Sequence, residues 1–215
     1  ALPIWIAPDR IVVSGVVHGV SQSPLEAGAE RFEALELRGT AGRGVQCAHL
    51  RLAPRTLELS ADSVAAYLEE IGAGPGLHDL WRSSPVPGSW RETYAKGAKA
   101  YLRAGPDPEG VEPCWRRPLG HPFELVPDVD PTTLRAGDAL VLTVLLGGEP
   151  VPGQALGLVR ADGERVPLRR TDRFGRIRLE IPAPGAWLVY GTHLRRKGAD
   201  WESDFATLVF EARAD

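Results

Sequence analysis

Histidine offers the widest choice of chemistry in this sequence, because its imidazole can bind a metal ion or move a proton near neutral pH. The best candidates for metal ligands are His18, in a glycine-rich stretch, and His193, on a predicted strand. A tight zinc or nickel site takes three or four ligands. The side chains available to complete such a site are Glu202, Asp204 and His121. The alternative is that each imidazole makes only a local hydrogen bond.

Catalytic residues do not assemble into a recognisable set. The sequence has no nucleophile elbow, no Walker loop, no His-Glu-x-x-His and no Cys-x-x-Cys. Cys47 and His49 share a face of a predicted strand, but side chains two apart on one strand run too parallel for a thiol–imidazole pair. We therefore expect a non-catalytic protein with no resident cofactor.

The two cysteines, Cys47 and Cys114, allow two interpretations. A disulfide between them would suit an oxidising compartment and would close a long loop, contributing on the order of 4 kcal/mol. Alternatively, each thiol is unpaired and buried as a small apolar side chain.

Tryptophan and arginine, which often dominate the binding energy of protein interfaces, are concentrated in two regions. The candidate interface residues are Trp81, Trp90 and Trp115 in the irregular middle region, and Arg169, Arg170, Arg173, Arg195 and Arg196 towards the carboxy terminus. The alternatives are tryptophans that pack in the core and arginines that belong to a mixed, solvated face.

The composition of the chain restricts the classes of partner and the locations that we expect for this protein. A formal net charge of −3 argues against a general nucleic-acid binder, which would be strongly basic. No apolar run is long enough to span a membrane. The sequence contains no methionine and begins at Ala1, which favours an exported chain whose signal peptide has been removed.

Periodicity predicts a mainly β protein of two immunoglobulin-like sandwich domains. The first covers residues 1–104 and includes a helical insertion at about 62–99. A Gly- and Pro-rich linker follows at 105–117, and the second domain covers 118–215. Its clearest strand is Arg176 to Ile181, where apolar and charged residues alternate.

Several stretches resemble a family of periplasmic proteins of unknown function, many of which are described as components of nickel or cobalt uptake. The residues that carry the resemblance best are Asp200-Trp201-Glu202-Ser203, Phe205-Ala206-Thr207-Leu208, Phe210 and His18-Gly19. The resemblance implies a periplasmic location and sandwich domains. Members commonly have a histidine near the mature amino terminus, where this chain has Leu2 and Pro3. That departure removes the most plausible anchor of a nickel or cobalt site.

Two functions remain as hypotheses. The first is an accessory or scaffold subunit that docks on the periplasmic face of a membrane complex, either a transporter or an electron-transfer or photosynthetic assembly. The second is a periplasmic component that presents nickel or cobalt to an uptake system through His18 and His193. The two are distinguished by the metal content and the companions of the natively purified protein.

Overall fold

The computed structural model describes residues 10–31, 34–40, 42–84 and 90–214. Most of these residues lie in fourteen strands and two helices. The strands are β1 (Ile11–His18), β2 (Ser21–Ser23), β3 (Glu26–Arg31), β4 (Ala34–Arg38), β5 (Gly44–Leu59), β6 (Trp90–Ala104), β7 (Phe123–Pro127), β8 (Ala139–Leu146), β9 (Glu149–Pro150), β10 (Ala155–Arg160), β11 (Arg165–Arg170), β12 (Arg176–Glu180), β13 (Gly185–Lys197) and β14 (Asp200–Ala212). The helices are α1 (Ala61–Glu70) and α2 (Pro75–Arg82).

Two sheets face each other across the main core. The larger sheet has eight strands in the order β11-β10-β13-β14-β6-β5-β1-β2. The smaller has the order β12-β8-β7, with β9 paired to β8, whereas β3 and β4 pair with each other. Both sheets supply apolar side chains to one cluster, including Leu156, Val189 and Leu208 from the larger and Leu125 and Leu142 from the smaller. The prediction of a mainly β sandwich fold is confirmed.

The two halves of the chain share one sheet and one core, whereas the sequence predicted a separate sandwich for each half. Strand β6 of the first half pairs in parallel with β14, the last strand of the second half. Val17 and Val45 from the first half belong to the main core cluster. The two halves meet in this way because β14 still has a free edge after pairing with β13, and β6 satisfies its backbone groups.

The predicted linker at 105–117 is packed against the protein at its end. A single 3₁₀ turn at Cys114–Arg116 places Cys114 and Trp115 in the main core, 1 % and 6 % exposed. This part of the chain therefore covers apolar surface of the sheet and does not act as a solvated tether.

The helices cover the face of the large sheet that points away from the small one. Ser60 caps α1, its side chain accepting a hydrogen bond from the amide of Ser63. Val64 and Leu68 of α1 pack against Trp90 and Trp201 on the sheet. None of the helices in the described ranges is long and apolar enough to cross a membrane.

The helical insertion is shorter than the predicted 62–99. The segment from Trp90 to Lys99 was expected to be a helix, but it is the first part of β6. Two of its buried residues, Glu92 and Lys99, are charged, whereas Arg91, Thr93 and Leu102 are exposed. Because apolar and polar residues therefore do not alternate, the strand was not recognisable from its periodicity.

Candidate functional site

The predicted metal ligands do not come together. His18 ends β1 and pairs with Ser21, whereas His193 lies on β13 opposite Asp204. Three strands, β14, β6 and β5, separate β13 from β1, which corresponds to about 19 Å at the usual strand spacing. Among the described residues, no three His, Cys, Asp or Glu side chains are placed to hold a metal ion. The proposed pairing of His18 with His193 is therefore wrong.

The structure instead brings together His49 and His121. His49 Nδ1 lies 3.1 Å from His121 Nε2, and the side chains are 3 % and 6 % exposed. His49 faces inward on β5 opposite Lys99 of β6, and His121 reaches it from the turn before β7. From the sequence, we expected His121 only as an auxiliary metal ligand. The pair was missed because its members are 72 positions apart.

A buried ion pair lies beside the histidines. Lys99 Nζ donates to Glu124 Oε1 at 2.5 Å and to the carbonyl of Leu125 at 3.1 Å. Glu124 also accepts the backbone amides of Leu119, Gly120 and His121. Four donors therefore hold this carboxylate, and it fixes the turn at 119–121 to the large sheet.

Burial and the neighbouring Lys99 ammonium keep both imidazoles neutral. They lower the pKa of His121 to about 4, and they lower that of His49. His49 Nε2 is buried with no hydrogen-bond partner. The contact between the two buried rings joins β5 to the turn before β7.

A second buried carboxylate, Glu92, lies under the helices. Tyr67 Oη and Trp90 Nε1 donate to it at 3.1 and 2.8 Å, and the Ser203 hydroxyl also contacts it. Trp90 stacks on Trp201 with a centroid distance of 4.2 Å. Tyr67 belongs to α1 and Ser203 to β14, so Glu92 of β6 links α1 to the large sheet.

The predicted tryptophan interface is not exposed. Trp90 and Trp115 are 1 % and 6 % exposed, and Trp81 is partly buried against Trp90. They pack in the core because the neighbouring strands and helices cover their rings. Of the two interpretations offered by the sequence, core packing is the one observed.

Cys47 and Cys114 are free and buried in the same core cluster. The Cys114 thiol donates to the carbonyl of Val45 at 3.4 Å. Burial raises the pKa of Cys47 to about 12 and that of Cys114 to about 11. The disulfide considered for this pair is absent, and neither thiol is poised as a nucleophile.

The predicted arginines differ in their surroundings. Arg195 pairs with Asp204 and Glu202, and Arg196 donates to backbone carbonyls of Leu80 and Gly198. These two residues are engaged within the protein. The other three, Arg169, Arg170 and Arg173, are exposed and lie on β11 or in the turn that follows it.

Strands β11 and β12 end the large and the small sheet on the same side of the sandwich and are joined by the turn at 171–175. We use the name arginine edge for four exposed side chains there that make no ion pair with a carboxylate in the described residues: Arg165, Arg169, Arg173 and Arg178. Leu168 and Phe174, 38 % and 57 % exposed, lie on the same two segments, and the Arg173 guanidinium lies over the Phe174 ring at 4.5 Å.

Nearby acids offset the charge of the arginine edge only in part, although Asp172 interacts electrostatically with Arg176 and Arg173. Asp162 and Glu164 both pair with Arg160. Asp172 accepts the backbone amides of Phe174 and Arg176, which lowers its pKa and holds the turn. Glu180 is the remaining carboxylate on β11 and β12. The edge therefore combines an excess of positive charge with exposed apolar area.

Comparison with known proteins identifies a family. A family model described as "Domain of unknown function (DUF4198)" matches residues 3–195. No curated protein and no solved structure matches the chain. The resemblance to a family of unknown function is thereby confirmed at that level. Because the match covers most of the 215 residues, the chain belongs to the DUF4198 family.

Proposed function

We propose that this protein is a non-catalytic accessory subunit that docks, through its arginine edge, on an acidic surface of a periplasmic or membrane-associated protein complex. The observation that carries the proposal is the set of four exposed arginines without carboxylate partners in the described residues, next to exposed Leu168 and Phe174. Arginine and aromatic side chains are enriched where proteins bind one another.

Two further features support docking by side chains rather than by strand addition. β11 is an edge strand, but Pro167 lies within it and lacks an amide donor. Its charged side chains also discourage a further strand from pairing there. The periplasmic location is supported by the resemblance of the sequence to periplasmic proteins, and it belongs to the same proposal.

The test is purification of the tagged protein from its own cells in mild detergent, followed by mass spectrometry of companions and by metal analysis. The edge variant is Arg169→Glu with Arg173→Glu. The matched control is Arg43→Glu with Arg55→Glu, which changes the charge equally at exposed arginines away from the edge.

We expect the wild type and the control to retain the same membrane-protein companion and the edge variant to lose it. Association should also slow as salt rises, because screening shortens the range of electrostatic steering. A monomer with stoichiometric nickel or cobalt and no companion would contradict the proposal and favour metal presentation. Equal recovery of the companion with both variants would exclude the arginine edge as the docking surface.

A further inference from the structure

A cleft of about 600 Å³ opens where the large sheet is incomplete. Strand β13 continues past its neighbour β10, whose pairing ends at Leu156 with Gly191. From Thr192 onward the edge of β13 that has no strand partner borders the turn between α1 and α2. The loop 151–154 forms the other wall of the cleft. The volume is that of typical small-molecule sites.

Arg170 joins the two walls of the cleft. Its guanidinium donates to the carbonyl of Gly72 at 2.5 Å and to that of Gly153 at 2.8 Å. Gly72, just after the end of α1, has a φ of 63°, a conformation that favours glycine, and its carbonyl accepts from Arg170. These two bonds use two of the five N–H donors of the guanidinium, and no described residue is recorded as an acceptor for the other three.

His193 presents a hydrogen-bond acceptor in the same cleft. The side-chain amide of Gln154 donates to the carbonyls of Ala155 and Thr192, which fixes its oxygen as an acceptor. His193 Nδ1, 3.2 Å from that oxygen, therefore carries the proton. Burial and the neighbouring Arg195 lower the pKa of His193, so its Nε2 remains an unprotonated acceptor at neutral pH.

The charge and polarity of the lining select the ligand. None of the described residues that line the cleft is acidic, and Arg170 supplies positive charge. Leu77, Leu80 and Leu194 supply apolar surface beside it. A molecule that suits both parts combines an anionic group with an apolar chain.

We propose that this cleft binds a small organic carboxylate with an apolar chain. Arg170 receives the carboxylate, the chain lies against Leu77, Leu80 and Leu194, and His193 Nε2 accepts a hydrogen bond from a hydroxyl group next to the carboxylate. The site is separate from the proposed docking function, because Arg170 is not part of the arginine edge.

Calorimetric titration with octanoate tests the charge preference, with octanamide and octylammonium as neutral and cationic probes of the same chain length. We expect octanoate to bind at least about tenfold more tightly than either. Arg170→Gln should weaken octanoate binding by about tenfold, since it removes a charge-assisted contact. The neighbouring Arg169→Gln should leave the affinity unchanged. Equal binding of octanoate and octylammonium, or no binding up to the solubility limit of octanoate, would overturn the proposal.

Gly76→Phe tests the location without removing a hydrogen bond. A Cβ at Gly76 meets no atom within 4 Å, and Gly76 lines the cleft, so the ring should fill it while the protein still folds. We expect octanoate binding to be lost while the thermal midpoint of unfolding stays near that of the wild type. Unchanged binding by a folded Gly76→Phe variant would place the ligand elsewhere.

The acceptor role of His193 has its own test. 2-Hydroxyoctanoate should bind more tightly than octanoate to the wild type, and His193→Phe should abolish that difference. Equal affinities for the two acids in the wild type would overturn the role of His193. Variants of the arginine edge should leave both affinities unchanged, so failure of this site and failure of the docking function can be told apart.

Discussion

The buried histidine pair should make the stability of this protein fall between pH 6.5 and about pH 4. The pKa of His121 is about 4 in the folded protein and 6.5 in an unperturbed histidine. Lowering the pH through this range protonates the unfolded chain before the folded one, so the free energy of unfolding falls. Above pH 6.5 both states hold a neutral His121, and its contribution is fully present.

The linkage between proton binding and folding gives the size of this loss of stability. With these two values, protonation of His121 removes about 2.5 kcal/mol from the free energy of unfolding by pH 4.5. The charged or titratable groups that face His121 are Lys99, Glu124, His49 and Arg51. Lys99, His49 and Arg51 disfavour protonation of His121, whereas Glu124 favours it. The lowered pKa of His49 acts in the same direction, so the observed loss should not be smaller.

The assay is urea denaturation of the wild type and of His121→Gln between pH 7.5 and 4.5. Glutamine keeps a polar group near His49 but does not titrate. We expect the variant to be less stable at pH 7.5 and to lose about 2 kcal/mol less than the wild type on acidification. His18→Gln controls for removal of a histidine outside the buried pair. Parallel pH profiles for the wild type and His121→Gln would refute the reasoning.

Three further predictions concern the core. Trp187→Ala should lower the free energy of unfolding by roughly 3–5 kcal/mol in urea titrations, because Trp187 is 1 % exposed; an unchanged unfolding midpoint would show that its burial is unimportant. Lys99→Met should lower the free energy of unfolding by about 3–5 kcal/mol in the same titrations, because it leaves the buried Glu124 carboxylate unpaired. Glu124→Leu should lower it by at least as much, because it leaves Lys99 unpaired and three backbone amides without an acceptor. Cys47 and Cys114 should resist a thiol reagent in the native protein and react in denaturant, which mass spectrometry can count; rapid native labelling would contradict their burial and raised pKa values.

Features that depend on neighbours in the sequence were predictable. The alternation in Arg176–Glu180 gave a strand with Ile177 and Leu179 buried. Asp162-Gly163 is a local signal for the hairpin between β10 and β11, where Gly163 has a φ of 95°. The Ser60 cap and the helical spacing of buried Val64 and Leu68 are local signals of the same kind for α1. In each case a few adjacent residues carry the whole signal, because turn geometry, capping and one-sided burial are local.

The sequence by itself determined the fold class, the membership of a family and the local strand, turn and cap described above, whereas the tertiary structure decided which strands are neighbours and which polar groups meet. The parallel pairing of β6 with β14 joins segments about a hundred positions apart, and no local pattern encodes it. His49 with His121 and Lys99 with Glu124 are brought together by that arrangement of sheets. Buried polar residues also interrupt the alternation of the strands that hold them, so periodicity is least informative where the structure places its internal charges.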